Sequence, residues 1–303
     1  MQNLLTLLTI LSPLFIGFFI PLPAAVLRIV DKLLNALVYF ILFLIGIGLA
    51  QVDQLASRLG DIGHAVLLLF VCTIGMNLVV LIAFDRLYPW QQPRQSSHCG
   101  KARISLSGSA LQLSCVAMGV LAGFLLPSNL LPPENLGTWA LMLLIFLVAL
   151  QLRGNRITLR QVLLNRRGTE TALLCVLSAL VGGLIFAALM DDVSWNKGLA
   201  LASGFGWYSL SAIVISEAYG PVWGSVALLN DLLREFFALA FIPLLMLRHP
   251  STAVASGGAT SIDFTLPVIQ TSGGLAAVPL AISSGFILNV LPPILMVAFS
   301  SLG

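Results

Sequence analysis

Charge is what this chain has least of. Only 9% of its 303 residues are charged while 58% are hydrophobic, and mean hydropathy is +1.01; a soluble domain devotes roughly a quarter of its residues to charge. That shortage excludes a water-soluble globule, and the net charge of +3 is too small and too scattered to imply nucleic acid. Cysteine is equally uninformative as chemistry. Cys72, Cys99, Cys115 and Cys175 show no CxxC or metal-ligand spacing, and three of them sit in apolar runs, where the thiol behaves as a small hydrophobe; neither a disulfide nor a metal or other cofactor is expected. The three histidines, His64, His98 and His249, lie near segment ends, and there is no HExxH or GxSxG, so an intramembrane hydrolase has little to work with. The first apolar run, Leu4 to Ile20, has no basic residue before it and no A-x-A site after it, which predicts a retained span rather than a cleaved signal.

What is present is a succession of apolar runs, each able to cross a bilayer: Leu4–Leu22, Leu34–Ala50, His64–Phe84, Leu106–Leu126, Thr138–Leu152 and Thr171–Met190. The links between them separate by charge. Arg28 and Lys32 fall in the first, Arg86, Arg94, Lys101 and Arg103 in the third, and Arg153, Arg156, Arg160, Arg166 and Arg167 in the fifth. These are eleven of the fifteen Lys and Arg residues. The positive-inside rule makes those links cytoplasmic and puts the amino terminus outside.

Two internal repeats are legible. GFFIP (Gly17 to Pro21) recurs as GFLLP (Gly123 to Pro127), and FLIGIGLAQ (Phe43 to Gln51) parallels FLVALQLRG (Phe146 to Gly154). With three spans between copies, 1–84 and 105–190 would be inverted repeats within a single transport domain, 1–303, a design typical of secondary transporters. Further on, ASGFGWYSLSAIVISEAYG (Ala202 to Gly220) and GGATSIDFTLPVIQTSGG (Gly257 to Gly274) align at one offset, pairing Gly204 with Gly258, Ser211 with Thr265 and Gly220 with Gly274. Each precedes a long apolar run, giving a second pair, 198–247 and 256–301. Glycines and hydroxyls that interrupt an apolar segment belong where backbone is buried in protein or lines a cavity. Ser209, Ser211, Thr260, Ser261, Asp263 and Thr265 are therefore binding-site candidates, with ordinary surface loops as the plain alternative. The fold expected is an all-α polytopic membrane protein of about eight spans plus two re-entrant segments, with ten crossings as the alternative; both termini then face outward.

The segment Pro221 to Leu247 is long enough to span, yet carries Asn230, Asp231, Arg234 and Glu235 near its middle. A charge at the centre of a spanning helix costs about 3 kcal/mol, so such residues face a cavity or a partner. Spacings of three and four put Asp231, Arg234 and Glu235 on one face. Asp231 and Arg234 can neutralise each other as an internal pair, which leaves Glu235 as the sharpest functional signal. A sodium-coupled importer of organic anions is a competing class; it would need basic residues at the site, and Arg234 alone lies within the bilayer on this reading.

GFGWYSLS (Gly204 to Ser211), NDLLRE (Asn230 to Glu235), GATSIDFTLPV (Gly258 to Val268), LQLR (Leu150 to Arg153) and LNRRG (Leu164 to Gly168) resemble the LysO-type lysine exporters of bacterial inner membranes. The resemblance covers nearly the whole chain. It implies export of L-lysine and of its analogue thialysine against protons, with a homodimer as the candidate assembly. The acidic residues it makes important map onto Glu235, inside NDLLRE, and Asp53, in LAQVDQLAS, where a solvated loop carboxylate is the alternative.

The loop charges generate a topology prediction. A reporter fused after Arg167 should be active as a cytoplasmic fusion and one fused at Gly303 as a periplasmic fusion; finding both on one side would refute the even number of spans.

Overall fold

The computed structural model describes residues 24–50, 55–90, 107–125, 165–262, 264–274 and 276–302, with scattered positions between 16 and 23 and between 132 and 150. Among these residues the regular structure is helical throughout. In chain order the helices are α1 (Ala24–Ala50), α2 (Leu55–Leu87), α3 (Ser107–Leu125), α4 (Arg166–Leu189), α5 (Trp195–Ala202), α6 (Tyr208–Tyr219), α7 (Pro221–Met246), α8 (Pro250–Gly257), α9 (Leu266–Gly273) and α10 (Ala277–Ser301), with a 3-10 turn over Gly258–Ile262. Gly60–Leu87, Arg166–Leu189 and Ala277–Ser301 are long and apolar enough to cross a membrane. Their outer surfaces stay apolar, as Leu67, Val71, Val79 and Leu177 show by being exposed. One expected boundary shifts: Arg28 and Lys32, read as a link, lie inside α1. Long basic side chains near a helix end can carry their charge past its apolar length.

Glycine sets how the long helices approach. Gly119 of α3 leaves room for the backbone at Phe43 of α1, and Gly123 for Ile47 and Ala50, a spacing of four that lets two apolar helices touch backbone to backbone. The successive contacts make α1 and α3 parallel. Helices α2 and α4 run antiparallel: Gly182 faces Cys72 and Thr73, Ser178 meets Asn77, and Arg167 meets Asp85. Gly183 of α4 in turn lies against Gly198 and Ala202 of α5.

These contacts define two ends of the molecule. The exposed Arg86, Arg166 and Arg248 share one end with Arg167, which reaches Asp85, the Tyr88 carbonyl and Ser251. At the opposite end, Asn196 of α5 donates to the Leu302 carbonyl.

Between the ends, two pairs of short helices turn back on themselves. In α5–α6, Lys197 at the start of α5 places its Nζ 3.5 Å from the centroid of the Trp223 ring and 5.6 Å from that of Tyr219, at the finish of α6; the pair enters and leaves at the end of the molecule remote from the arginines. In α8–α9, Ser251 and Thr252 lie against Asp85 and Gly273 lies against Met246, so this pair opens at the basic end. The tips meet in the interior, where the Ala259 N–H donates to the Phe205 carbonyl at 2.9 Å. The meeting is possible because Gly206 and Gly258 adopt φ of +92° and +60°, which side chains resist. Phe205 adopts φ of +48° without being glycine, a conformation costing about 1–3 kcal/mol and typical of functional sites. Each helical pair ends on a positive-φ glycine, Gly220 or Gly274, before the next long helix.

A Gly183→Val substitution should force α4 and α5 apart, since even a Cβ there lies 2.5 Å from the Gly198 carbonyl oxygen. Overpacking of this kind costs about 1–3 kcal/mol, read as a lowered unfolding temperature in detergent. Gly75→Ala, with nothing within 4 Å of the new methyl, should leave that temperature unchanged or raise it.

Candidate functional site

The chain meets the requirement for buried polar partners at the place where the two hairpin tips touch α7. Asn230, Asp231, Arg234 and Glu235 are each at most 5% exposed. They lie on α7 because the rest of its sequence, from Pro221 at its first position to the Leu- and Phe-rich second half, is apolar and helix-compatible, so four polar side chains are carried to the interior by an otherwise apolar helix.

Asp231 is built as an acceptor. Ser211 Oγ donates to its Oδ2 at 2.5 Å, and the Gly206 N–H and Asn230 Nδ2 donate to its Oδ1 at 3.2 and 3.3 Å. Gly206 and Ser211 flank the start of α6, so this carboxylate also sits at the positive end of a helix dipole. The absence of a side chain at Gly204 is what lets Ser211 and Asp231 meet, because a Cβ there would overlap both.

Arg234 points elsewhere. Its Nε donates to the Ser256 carbonyl at 3.2 Å, its Nη2 to the Ala255 carbonyl at 2.7 Å, and Nη2 also lies 3.3 Å from Cys175 Sγ. The guanidinium therefore caps the carbonyl end of α8, where a cation is favoured. Asp231 and Arg234, considered from sequence as an internal pair, do not come within ion-pair distance of each other, unlike Arg166 and Glu170 or Arg167 and Asp85. Two residues three apart on a helix are neighbours, but a guanidinium with buried helix-end carbonyls in reach gains more hydrogen bonds from those.

The other end of α8 is held with the opposite sign. Asp85 of α2, 3% exposed, accepts from Arg167 Nη2 at 2.6 Å, from the Ser251 and Thr252 N–H groups at 3.3 and 2.9 Å, and from Thr252 Oγ1 at 2.9 Å. Arg167 further donates to Ser251 Oγ at 2.8 Å and stacks 4.1 Å over the Phe84 ring. An eight-residue buried helix is thus clamped between a carboxylate at its N–H end and a guanidinium at its carbonyl end. From sequence alone Arg167 is one of the loop charges, and the one signal at Asp85 is an acid closing an apolar run, in AFDRLY (Ala83 to Tyr88).

The remaining candidates divide. Ser209 is buried on α6. Thr265 is buried and donates to the Thr260 carbonyl at 3.1 Å, Thr260 donates to the Gly257 carbonyl at 2.8 Å, and Ser261 to the Val254 carbonyl at 2.7 Å; these hydroxyls tie off the backbone of the second tip. Asn289 of α10, not singled out from sequence, donates to the Ala259 carbonyl at 2.7 Å. Glu235 is 2% exposed and shares its helical face with Asp231. Asp53 and Asp263 lie outside the described residues.

The family model described as lysine exporter LysO matches residues 113–300. The lysine exporter LysO of Escherichia coli (strain K12) is 45% identical over 97% of this chain and 99% of its own length. A putative lysine exporter of Haemophilus influenzae is 47% identical over 62% of this chain and 96% of its own length. No solved structure matches.

Asp85→Ala should leave two buried helix N–H groups without their acceptor and Arg167 without its carboxylate, a loss of about 3 kcal/mol. Asp85→Asn, which keeps an acceptor oxygen, should lose less. Thermal unfolding of the two purified variants checks the order, and equal stability of Asp85→Ala and the parent would refute the clamp.

Proposed function

The chain belongs to the lysine exporter LysO family, and on that premise we propose that it carries L-lysine, and the analogue thialysine, out of the cytoplasm across a bacterial inner membrane in exchange for protons. The observation that carries this reading is the distribution of charge at the hairpin tips. The described charges there are Asp231, Glu235 and Arg234, all buried, and the guanidinium is directed at the carbonyls of α8. Two buried carboxylates on one face of α7, with the guanidinium turned toward α8, are the groups a transported cation or a proton would meet at membrane depth.

Exchange also answers the energetics. Moving a net positive charge outward against an inside-negative potential costs about 2.3 kcal/mol per 100 mV. Export of one lysine cation with entry of one proton is electrically neutral. A single carboxylate performs it by holding either an ammonium or a proton and never standing empty. We assign that role to Glu235, with Asp231, fixed by Ser211 and Gly206, as the stationary acceptor beside it. Ser209, Thr265 and Asp263 complete the polar surroundings, and Asp53 serves as the acid of the outward side.

In this reading the basic end is cytoplasmic, α5–α6 re-enters from the periplasm and α8–α9 from the cytoplasm. Eight spans complete the chain, and both termini are periplasmic. The pairs 1–84 with 105–190 and 198–247 with 256–301 act as inverted repeats whose junction holds the site.

Cells lacking other exporters test the proposal through thialysine. Glu235→Gln should reach the membrane at parental abundance, confer no resistance, and abolish lysine-induced proton movement in everted vesicles. Resistance restored by Glu235→Gln at parental abundance would refute the exchange carboxylate; vesicles that carry a labelled organic anion but no lysine would refute the substrate.

A further inference from the structure

Lys197, in the first turn of α5, does not send its charge into water as a lysine near a helix end ordinarily does. Its Nζ lies 3.5 Å from the centroid of the Trp223 ring and 5.6 Å from that of Tyr219, and all three side chains are half-buried. The first turn of a helix is where a cation is least favoured, so the ring faces hold the ammonium in a place the helix itself disfavours. Asp192, exposed in the turn before α5, adds a favourable charge. The rings come from two elements. Tyr219 closes α6 and Trp223 opens α7, and Gly220 between them takes φ of +90°, a turn that brings both rings to one ammonium. Aromatic faces gathered around an ammonium are the arrangement by which proteins recognise ammonium ligands.

The group held there repeats the side chain of the proposed substrate, an alkyl chain ending in an ammonium. A surface that accepts one accepts the other. The rings stand at the mouth of the α5–α6 hairpin, whose tip supplies Gly206 and Ser211 to Asp231. Trp223 precedes Asp231 on α7 by a little over two turns, about 12 Å along the helix. A tethered ligand presents itself at an effective concentration on the order of millimolar, so free lysine arriving at this mouth must reach about that level to take its place.

Resting on the exporter reading above, we propose that the Trp223 and Tyr219 faces form an outward binding site for primary alkylammonium groups, and that Lys197 fills it as a built-in competitor that keeps exported substrate from rebinding. Lys197→Ala opens the site, and n-propylammonium reproduces the atoms removed. Titrated calorimetrically into the purified protein, n-propylammonium should bind Lys197→Ala about tenfold or more tighter than the parent, and adding Trp223→Leu to that variant should abolish the binding. Equal binding by Lys197→Ala and the parent, or binding that survives Trp223→Leu, would overturn the site. If Lys197→Ala folds poorly, n-propylammonium should raise its unfolding temperature in detergent more than sodium does at the same concentration; equal effects of the two cations would overturn the site as well. Right-side-out vesicles loaded with labelled lysine, from cells lacking other exporters, test the competitor. External L-lysine at about millimolar concentration should slow efflux several-fold through Lys197→Ala and by less than about twofold through the parent, while norleucine, which lacks the ammonium, slows neither. Lys197→Arg, whose guanidinium also stacks on an indole, should regain the parent's response. Efflux through Lys197→Ala that external lysine leaves unslowed would overturn the competitor role. Alkylammonium binding to Lys197→Ala of a protein that moves no lysine would refute the exporter reading alone, and its absence where the parent exports lysine would refute this site alone.

Discussion

The constraint on which the rest depends is that a helix ending inside an apolar protein must find partners for its end groups. The first four N–H groups and the last four carbonyls of any helix lack internal partners, and at membrane depth water is scarce. Helix α8 is buried along its whole length. Asp85 accepts from the N–H groups at its start, and Arg234 donates to the carbonyls at its end. The second tip is tied by Thr260, Ser261, Thr265 and Asn289. Replacing one side chain in this set exposes a backbone group elsewhere, so the arrangement behaves as a unit.

That demand explains why Arg234 and Asp231, neighbours on one helical face, do not pair. The guanidinium is drawn to carbonyls that have few other donors, and the carboxylate to Ser211 and the Gly206 N–H at the start of α6. Each charge faces the helix end of opposite polarity. The two short hairpins are thus joined electrostatically to the same long helix, at adjacent turns, and to each other through the Ala259–Phe205 hydrogen bond. A change of charge on α7 bears on both tips at once.

Much of this was legible in the residues. Glycine clusters placed the interruptions in the last third of the chain, and the breaks at Ser203–Gly206 and Gly258–Ile262 fall within the motifs read as interrupted segments. The Pro221 helix was bounded to within a residue, because proline opens it and the apolar run closes before Arg248 and His249. The gathering of Arg86, Arg166, Arg167 and Arg248 at one end agrees with loop charges alone. Tertiary pairing was not legible. The Asp231–Arg234 pair follows from helical spacing, and spacing knows nothing of the carbonyls that α8 brings from a different part of the chain. Asp85 was missed for the same reason: it is one polar residue in an apolar run, and its meaning comes from Thr252, which lies far away in sequence. Offset alignment also smoothed a real difference, since positive φ falls at Phe205 and Gly206 in the first break but at Gly258 in the second.

If the exchange carboxylate lies on α7 as proposed, it stands on the same helix as a guanidinium that is already engaged. Were Arg234 free to swing to a vacant carboxylate, the negative charge could be neutralised without any transported ion, and the empty site would cross the membrane at no electrical disadvantage. Exchange would then leak. Because the guanidinium is held by the Ala255 and Ser256 carbonyls, swinging it away would strip the end of a buried helix, which costs free energy of the same order as the pairing it would gain. On the exchange mechanism proposed above, the ions left to neutralise the carboxylate are then substrate and proton. On this view the clamp on α8 makes the coupling obligatory while leaving the affinity for either ion to be set by Glu235 and its surroundings.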